Sequence, residues 1–227
     1  MMDMPSDQPI QDAQLSREFF TRQAGPGHLI DCDLDEVDLS ELDLSRWTFE
    51  RCSFRHTDFA DSGLEEAVLR SCRGAYANFR GCNLSEARLE ACDFNNSTFG
   101  NAVLGAAQFV RCKLTGADLA DARMMDARFE ETILVGAKLA GQSFRKATLR
   151  QLDFSDADLR KVDFRQTDFE GCSLRDADVM GARFDGADLR GADLGGVRLA
   201  NADLFRGATI SREQAGQLLE ELGLRVL

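Results

Sequence analysis

The side chains able to do chemistry in this 227-residue chain are seven cysteines, two histidines and an excess of carboxylates, with 39 acidic against 27 basic residues. Thiols can hold soft metals, form disulfides or attack electrophiles, and carboxylates can bind hard cations or move protons. The spacing argues against each use. Cys32, Cys52, Cys72, Cys82, Cys92, Cys112 and Cys172 all differ by multiples of five, which independent placement would produce about once in 15,000 trials. There is no C-x-x-C pair, and the odd count suits a reducing compartment. Cys shares its register with Ala, Ser and Thr, so the column reads as small side chains packed in a core; a redox role for the thiols is the alternative. His28 and His56 stand beside no patterned nucleophile, and G-x-S-x-G, P-loop and H-E-x-x-H motifs are absent. The expectation is a protein that is not an enzyme and uses no metal or cofactor.

The elements behind that register are repeats of five. Every fifth residue from Leu34 to Leu204 makes 35 positions, of which nineteen are Leu and thirteen Phe, with Met124, Val179 and Gly74 as the remainder. Two residues earlier, from Cys32 to Ala202, sixteen positions are Ala and seven are Cys. Asp precedes the Leu/Phe column 14 times, which reads as part of the repeat, not as a catalytic or metal-binding array. A period of five is neither the 3.6 of a helix nor the 2.0 of a strand. Each unit therefore turns one large and one small side chain inward and bends at a corner.

The A-D-L-x-x and C-D-F-x-x pattern from Leu29 to Leu204 resembles the pentapeptide-repeat family. The resemblance implies an all-β, right-handed quadrilateral β-helix with four repeats per coil. Two ladders within the chain agree with a 20-residue coil. Cys32, Cys52, Cys72, Cys92 and Cys112 form one, with Cys172 on the same face. Glu50, Arg70, Glu90, Glu130, Arg150, Glu170 and Arg190 form the other, interrupted by Val110. Rungs ~4.8 Å apart let opposite charges on adjacent coils attract, and 8.75 coils would make a rod of about 40 Å.

The ends read as caps, since a solenoid exposes its terminal layers. Residues 1–28 form an N-terminal segment in which LSREFFTRQ offers Phe19 and Phe20 to the first coil, 29–208 form the β-helix, and 209–227 form a tail. Ser211 to Gln214 matches a capping box, Ala215, Leu218, Leu219 and Leu222 follow at helical spacing, and Gly223 is placed to end the helix. Leu224 to Leu227 alternates like a short strand. Gly74, the empty central position, is expected to leave a cavity or to admit a neighbour such as Tyr76.

A net charge of −12 argues against direct nucleic-acid binding, which needs a basic surface. No apolar run approaches the ~20 residues of a membrane span, and the N-terminus lacks a signal-peptide pattern, so a cytoplasmic location is expected. Residues 31–66 hold 12 acids and 3 bases, whereas 67–130 net +1 and 131–227 net −2. Two adjacent faces share an acidic edge of Asp33, Asp35, Glu36, Asp38, Glu41, Asp58, Asp61, Asp118, Asp121, Asp153, Asp156, Asp158, Asp176 and Asp178. That edge is either a solvated, solubilising face or a surface for a basic partner.

Within the family the chain is most similar to the Qnr and mycobacterial fluoroquinolone-resistance subgroup. That resemblance implies an acidic rod that mimics duplex DNA, binds the DNA saddle of DNA gyrase or topoisomerase IV, and forms a homodimer through a C-terminal helix and strand. Leu218, Leu219, Leu222, Leu224 and Val226 would then make the dimer interface. Two departures stand out: no loop interrupts the repeats, and the negative charge gathers at the N-terminal end. The alternative is a generic repeat scaffold without topoisomerase contact.

Overall fold

In the computed structural model of the protein, residues 8–23, 25–196, 203–221 and 223–225 are described. The chain divides into two compact units, Met1–Arg128 and Phe129–Leu227. Both are built from the same coil of a right-handed, all-parallel β-solenoid.

In the first unit, strands β1 (Ile10–Gln11), β2 (His28–Ile30), β3 (Thr48–Glu50), β4 (Val68–Arg70), β5 (Arg88–Glu90) and β6 (Gln108–Val110) pair in parallel along one face. From β2 onward the register advances by 20 residues, as in Phe49↔Leu69 and Leu69↔Leu89. The other three faces meet their neighbours through single bridges, for example Asp33↔Ser53, Asp38↔Asp58 and Asp43↔Gly63. The square cross-section follows from the corners. Val37 N–H donates to Leu34 O at 3.2 Å across a turn whose third residue, Glu36, has φ +62°. This is a type II turn, and it recurs with non-glycine residues at the left-handed position. The carboxylate before the central residue stiffens the corner by accepting the N–H two residues on, as Asp33 does from Asp35 at 2.9 Å and Asp43 from Ser45 at 3.0 Å. The regular Asp is thus an Asx turn built into the repeat.

The corner after the strand face is different, and the cysteine ladder marks it. The thiol of Cys72 donates to Phe49 O on the preceding coil and to Arg70 O, both at 3.4 Å. Cys52, Cys92 and Cys112 repeat the pattern. A small side chain with a weak donor suits this site, which explains why Cys was favoured over Ala there. All seven cysteines are buried and free.

The core is a column of Leu and Phe, fully buried at Phe54, Phe59, Phe79, Phe94 and Phe99. Phe59, Phe79 and Phe99 stack with centroids 4.9 Å apart. At Gly74 the space belongs to Phe94: a Cβ there would lie 2.3 Å from the Phe94 ring. Tyr76 does not lean in; it is 56% exposed and stacks on His56 at 5.1 Å. Helix α1 (Arg17–Thr21) covers the first coil, with buried Phe20 at 5.2 Å and Phe19 at 6.3 Å from Trp47. Ahead of it, Ile10 and Gln11 add a strand that the sequence pattern did not reveal.

The second unit continues with β7 (Arg128–Glu130), β8 (Thr148–Arg150) and β9 (Asp168–Glu170), paired as Glu130↔Arg150 and Leu149↔Phe169. Several of its left-handed corners are glycine, as at Gly136, Gly141 and Gly181. The regular period reaches Gly195, whose carbonyl accepts from Asp176 N. The register then slips by one residue. Phe184 N–H donates to Leu204 O, and Thr209, not the residue 20 beyond Asp188, bridges to Asp188. Leu204 was expected above Phe184 in the central column; instead Phe205 stacks there at 4.5 Å. Residues 203–205 form a short tight turn. Leu199 and Ala202, the last members of the two columns before it, lie outside the described residues.

Helix α2 (Arg212–Glu221) begins with the expected capping box. Ser211 N–H donates to Gln214 Oε1 at 2.6 Å, and Gln214 N–H donates to Ser211 Oγ at 3.1 Å. It ends in a Schellman motif, with Gly223 at φ +78° and its N–H on Glu220 O, and Leu224 N–H on Leu219 O. That combination is what glycine permits at a helix end.

Candidate protein-interaction surfaces

The acidic edge divides into carboxylates with a structural task and carboxylates left to solvent. Asp58, Asp118, Asp153 and Asp178 accept the N–H two residues on. Asp35 binds across coils to Ser53 Oγ and the Arg55 N–H. Asp38 accepts from Ser40, which lowers its carboxyl below the usual range, and also holds Arg17 of α1 at 3.0 Å. In contrast, Glu36, Glu41 and Asp61 occupy exposed left-handed corners. No ion pair reaches them among the described residues.

The second unit neutralises much of its own acid. Arg160 chelates Asp158 with contacts of 2.7 and 2.6 Å, Arg165 chelates Asp163 at 2.8 and 2.5 Å, and Arg190 grips Asp188. Each arginine is the main reason its aspartate is held below the ordinary carboxylate range. Arg175 pairs with Asp193 at 2.9 and 3.1 Å. The first three pairs are D-x-R sequence neighbours whose bidentate geometry only the fold sets, and the fourth joins residues 18 apart on adjacent coils. Asp156 and Asp176 remain exposed corner residues in this unit, and Asp121 is exposed in the first.

The charged ladder forms in part as expected. Arg70 reaches Glu50 at 3.3 Å and Glu90 at 4.0 Å, and Arg150 reaches Glu170 at 2.9 Å. His28 Nε2 lies 3.4 Å from Glu50 Oε1 on the same face. Burial pushes the Cys82 thiol up to about 12 and raises Cys172 as well, so these sulfurs stay protonated at neutral pH. Among the described residues, no group of three or more His, Cys, Asp and Glu is placed to hold a metal ion. No described helix is long and apolar enough to cross a membrane.

The C-terminal apolar surface is present in the residues that are described. Leu218 is half-buried, Leu219 is 39% exposed and Leu224 is 53% exposed. The turn at Gly223 carries Leu224 back along the last helical turn, where its N–H meets Leu219 O at 3.2 Å. Leu222 and Val226 lie outside the described residues. Of the expected strand, Leu224 and Arg225 are described and join no sheet.

The described residues build a parallel β-solenoid repeat scaffold with a polar, charged exterior. The chain belongs to the pentapeptide-repeat family: the pentapeptide repeat region model matches residues 27–99, and the model of eight pentapeptide repeats matches overlapping stretches from 92–130 to 172–209. No curated protein matches it. Among solved structures, a trypsin-treated variant of QnrB1, a plasmid-mediated fluoroquinolone resistance protein, is similar with a TM-score of 0.61 and 23% identity, covering 96% of this chain and 97% of that one. Full-length QnrB1 is similar with a TM-score of 0.54 and 22% identity, covering 95% and 97%. At that identity the likeness establishes the fold.

Proposed function

We propose that this protein is a DNA-mimicking ligand of a type II topoisomerase, DNA gyrase or topoisomerase IV, and that it modulates the enzyme or protects it from quinolones or toxins. The observation that carries this reading is the acidic surface of the first coils. There Glu36 and Glu41 stand on neighbouring corners of one coil and Asp61 on the next coil in line with Glu41, with their charge uncompensated. A protein channel shaped for duplex DNA meets one phosphate charge per ~1.7 Å. Carboxylates repeated on rungs ~4.8 Å apart offer such a channel fixed negative charge on a stiff frame, so binding costs little conformational entropy. The near full-length likeness to QnrB1 supports the frame, and the resemblance to its subgroup supports the target.

The exposed Leu219 and Leu224 support a homodimer joined through the C-terminal tails, because a two-fold axis would cover the apolar patch of both copies at once. The arginine-neutralised aspartates of the second unit favour a second reading, a general repeat scaffold that binds another protein. The test is a gyrase supercoiling assay with and without a quinolone. The topoisomerase reading expects the protein to inhibit supercoiling or to restore it in the presence of drug. No effect at tens of micromolar in either arm leaves the scaffold.

A further inference from the structure

Gln214 is 6% exposed, and its side chain does more than cap a helix. Within the regular coils the small-column carbonyl accepts the backbone N–H 21 residues on, as Cys32 O does from Ser53 and Cys172 O from Asp193. The central-column carbonyl often accepts a side-chain donor 23 residues on: Thr57 to Leu34 O, Thr167 to Phe144 O, Cys172 to Leu149 O. With the one-residue slip counted, as in Thr209 N–H to Ala187 O, those donors at the last coil would be residues 214 and 213 of a further coil, but the chain has turned into α2. Gln214 Nε2 donates instead to Ala192 O and to Leu189 O, both at 2.7 Å. One amide thus makes both bonds that the next coil would have made. Its Oε1 meanwhile accepts from Ser211 N–H, so every polar atom of the side chain is used.

We infer that Gln214 is the residue that closes the C-terminal end of the solenoid, standing in for the missing coil, and so seats α2 where Leu219 and Leu224 face a partner. Any partner at this end then meets a helical apolar surface, such as a second copy of this chain, and not an open β edge. The interface part of this inference rests on the proposed tail-to-tail dimer; the closure itself does not.

Gln214→Glu separates the two tasks. Glutamate serves a capping box as well as glutamine, but an ionised carboxylate cannot donate to Leu189 O and Ala192 O. Hydrogen exchange of the full chain at pH 7 is expected to show α2 amides exchanging at least about tenfold faster in Gln214→Glu, as for one lost buried hydrogen bond. Protection should return in part toward pH 5, as the carboxyl regains one proton to donate to one of the two carbonyls. Gln214→Ala should lose protection at both pH values, with the first-unit amides unchanged in both variants. Light scattering of the same samples reports the interface. A dimeric wild type whose Gln214→Glu form dissociates more readily supports the whole inference, and a dimer unaffected by the variant overturns the seating role. A monomeric wild type removes the dimer reading alone, leaving closure to be judged by exchange. If α2 in Gln214→Glu exchanges like wild type, the glutamine is only a helix cap and the inference fails.

Discussion

Single positions in this fold are decided by what occupies the coil above and below. Gly74 is the plainest case. Its missing side chain is replaced by the Phe94 ring, which lies where a Cβ would be. Restoring the family pattern with Gly74→Leu should therefore destabilise the protein, by about 1–3 kcal/mol as in other overpacked cores. Adding Phe94→Leu should recover part of the loss, and urea unfolding of the two variants checks both statements. The buried thiols make a second residue-scale prediction. Cys82 is pushed up to about 12 by burial, whereas an unfolded thiol titrates near ~8.5. Above that value the unfolded chain gives up a proton that the folded chain keeps, so stability falls as pH rises from ~8.5 toward the folded value. Comparing urea unfolding at pH 8 and pH 10, Cys82→Ala should lose less stability between the two, by about 1–2 kcal/mol. Equal losses would mean that the thiol ionises as readily folded as unfolded.

At the scale of the element, the corner is the costly part of the repeat. Left-handed φ values from +49° to +63° occur at Glu, Arg, Asp, Ala, Lys and other L-residues, each at about 1–2 kcal/mol relative to right-handed geometry. Turn hydrogen bonds, Asx bonds and the ladder between coils offset that strain. Ala106 and Ala107 sit side by side and test the account. Ala106 is an exposed corner at φ +55°, and Ala107 is a buried small-column residue. Ala106→Gly should leave the protein as stable or stabilise it by up to about 1 kcal/mol, since glycine adopts this φ without penalty. Ala107→Gly should cost about 1 kcal/mol or more through lost packing and added chain freedom. Thermal melts that rank the two in the opposite order would refute the corner assignment.

For the molecule as a whole, the balance of charge matters more than its total. The first coils keep open carboxylates at Glu36, Glu41 and Asp61, while Arg160, Arg165 and Arg190 chelate acids in the second unit. The triple variant Glu36→Gln, Glu41→Gln, Asp61→Asn touches no ion pair among the described residues, so its melting temperature should stay close to wild type. Its effect on gyrase should drop about tenfold or more in potency, and the wild-type effect should weaken as salt rises. Asp158→Asn, which removes an acid already neutralised by Arg160, should leave potency nearly unchanged. Equal losses in the two variants would place the contact on both units.

The amino-acid sequence by itself determined the period, the inward columns, the capping box and the helix stop at Gly223, while the 20-residue stack came from the family resemblance with two ladders in agreement. Those features depend on spacing along the covalent chain, because a repeat of five with one large and one small apolar residue has a single way to bury both. The reduced state and burial of the cysteines were legible for the same reason. Tertiary structure alone decided what lies across a coil boundary: Phe94 filling Gly74, the thiols reaching carbonyls 23 residues back, Arg175 closing on Asp193, Phe205 displacing Leu204 above Phe184, and Gln214 supplying the bonds of an absent coil. Each is a choice of rotamer or register made against a neighbour about 20 residues away, and spacing places that neighbour on a face without saying which way its side chain turns.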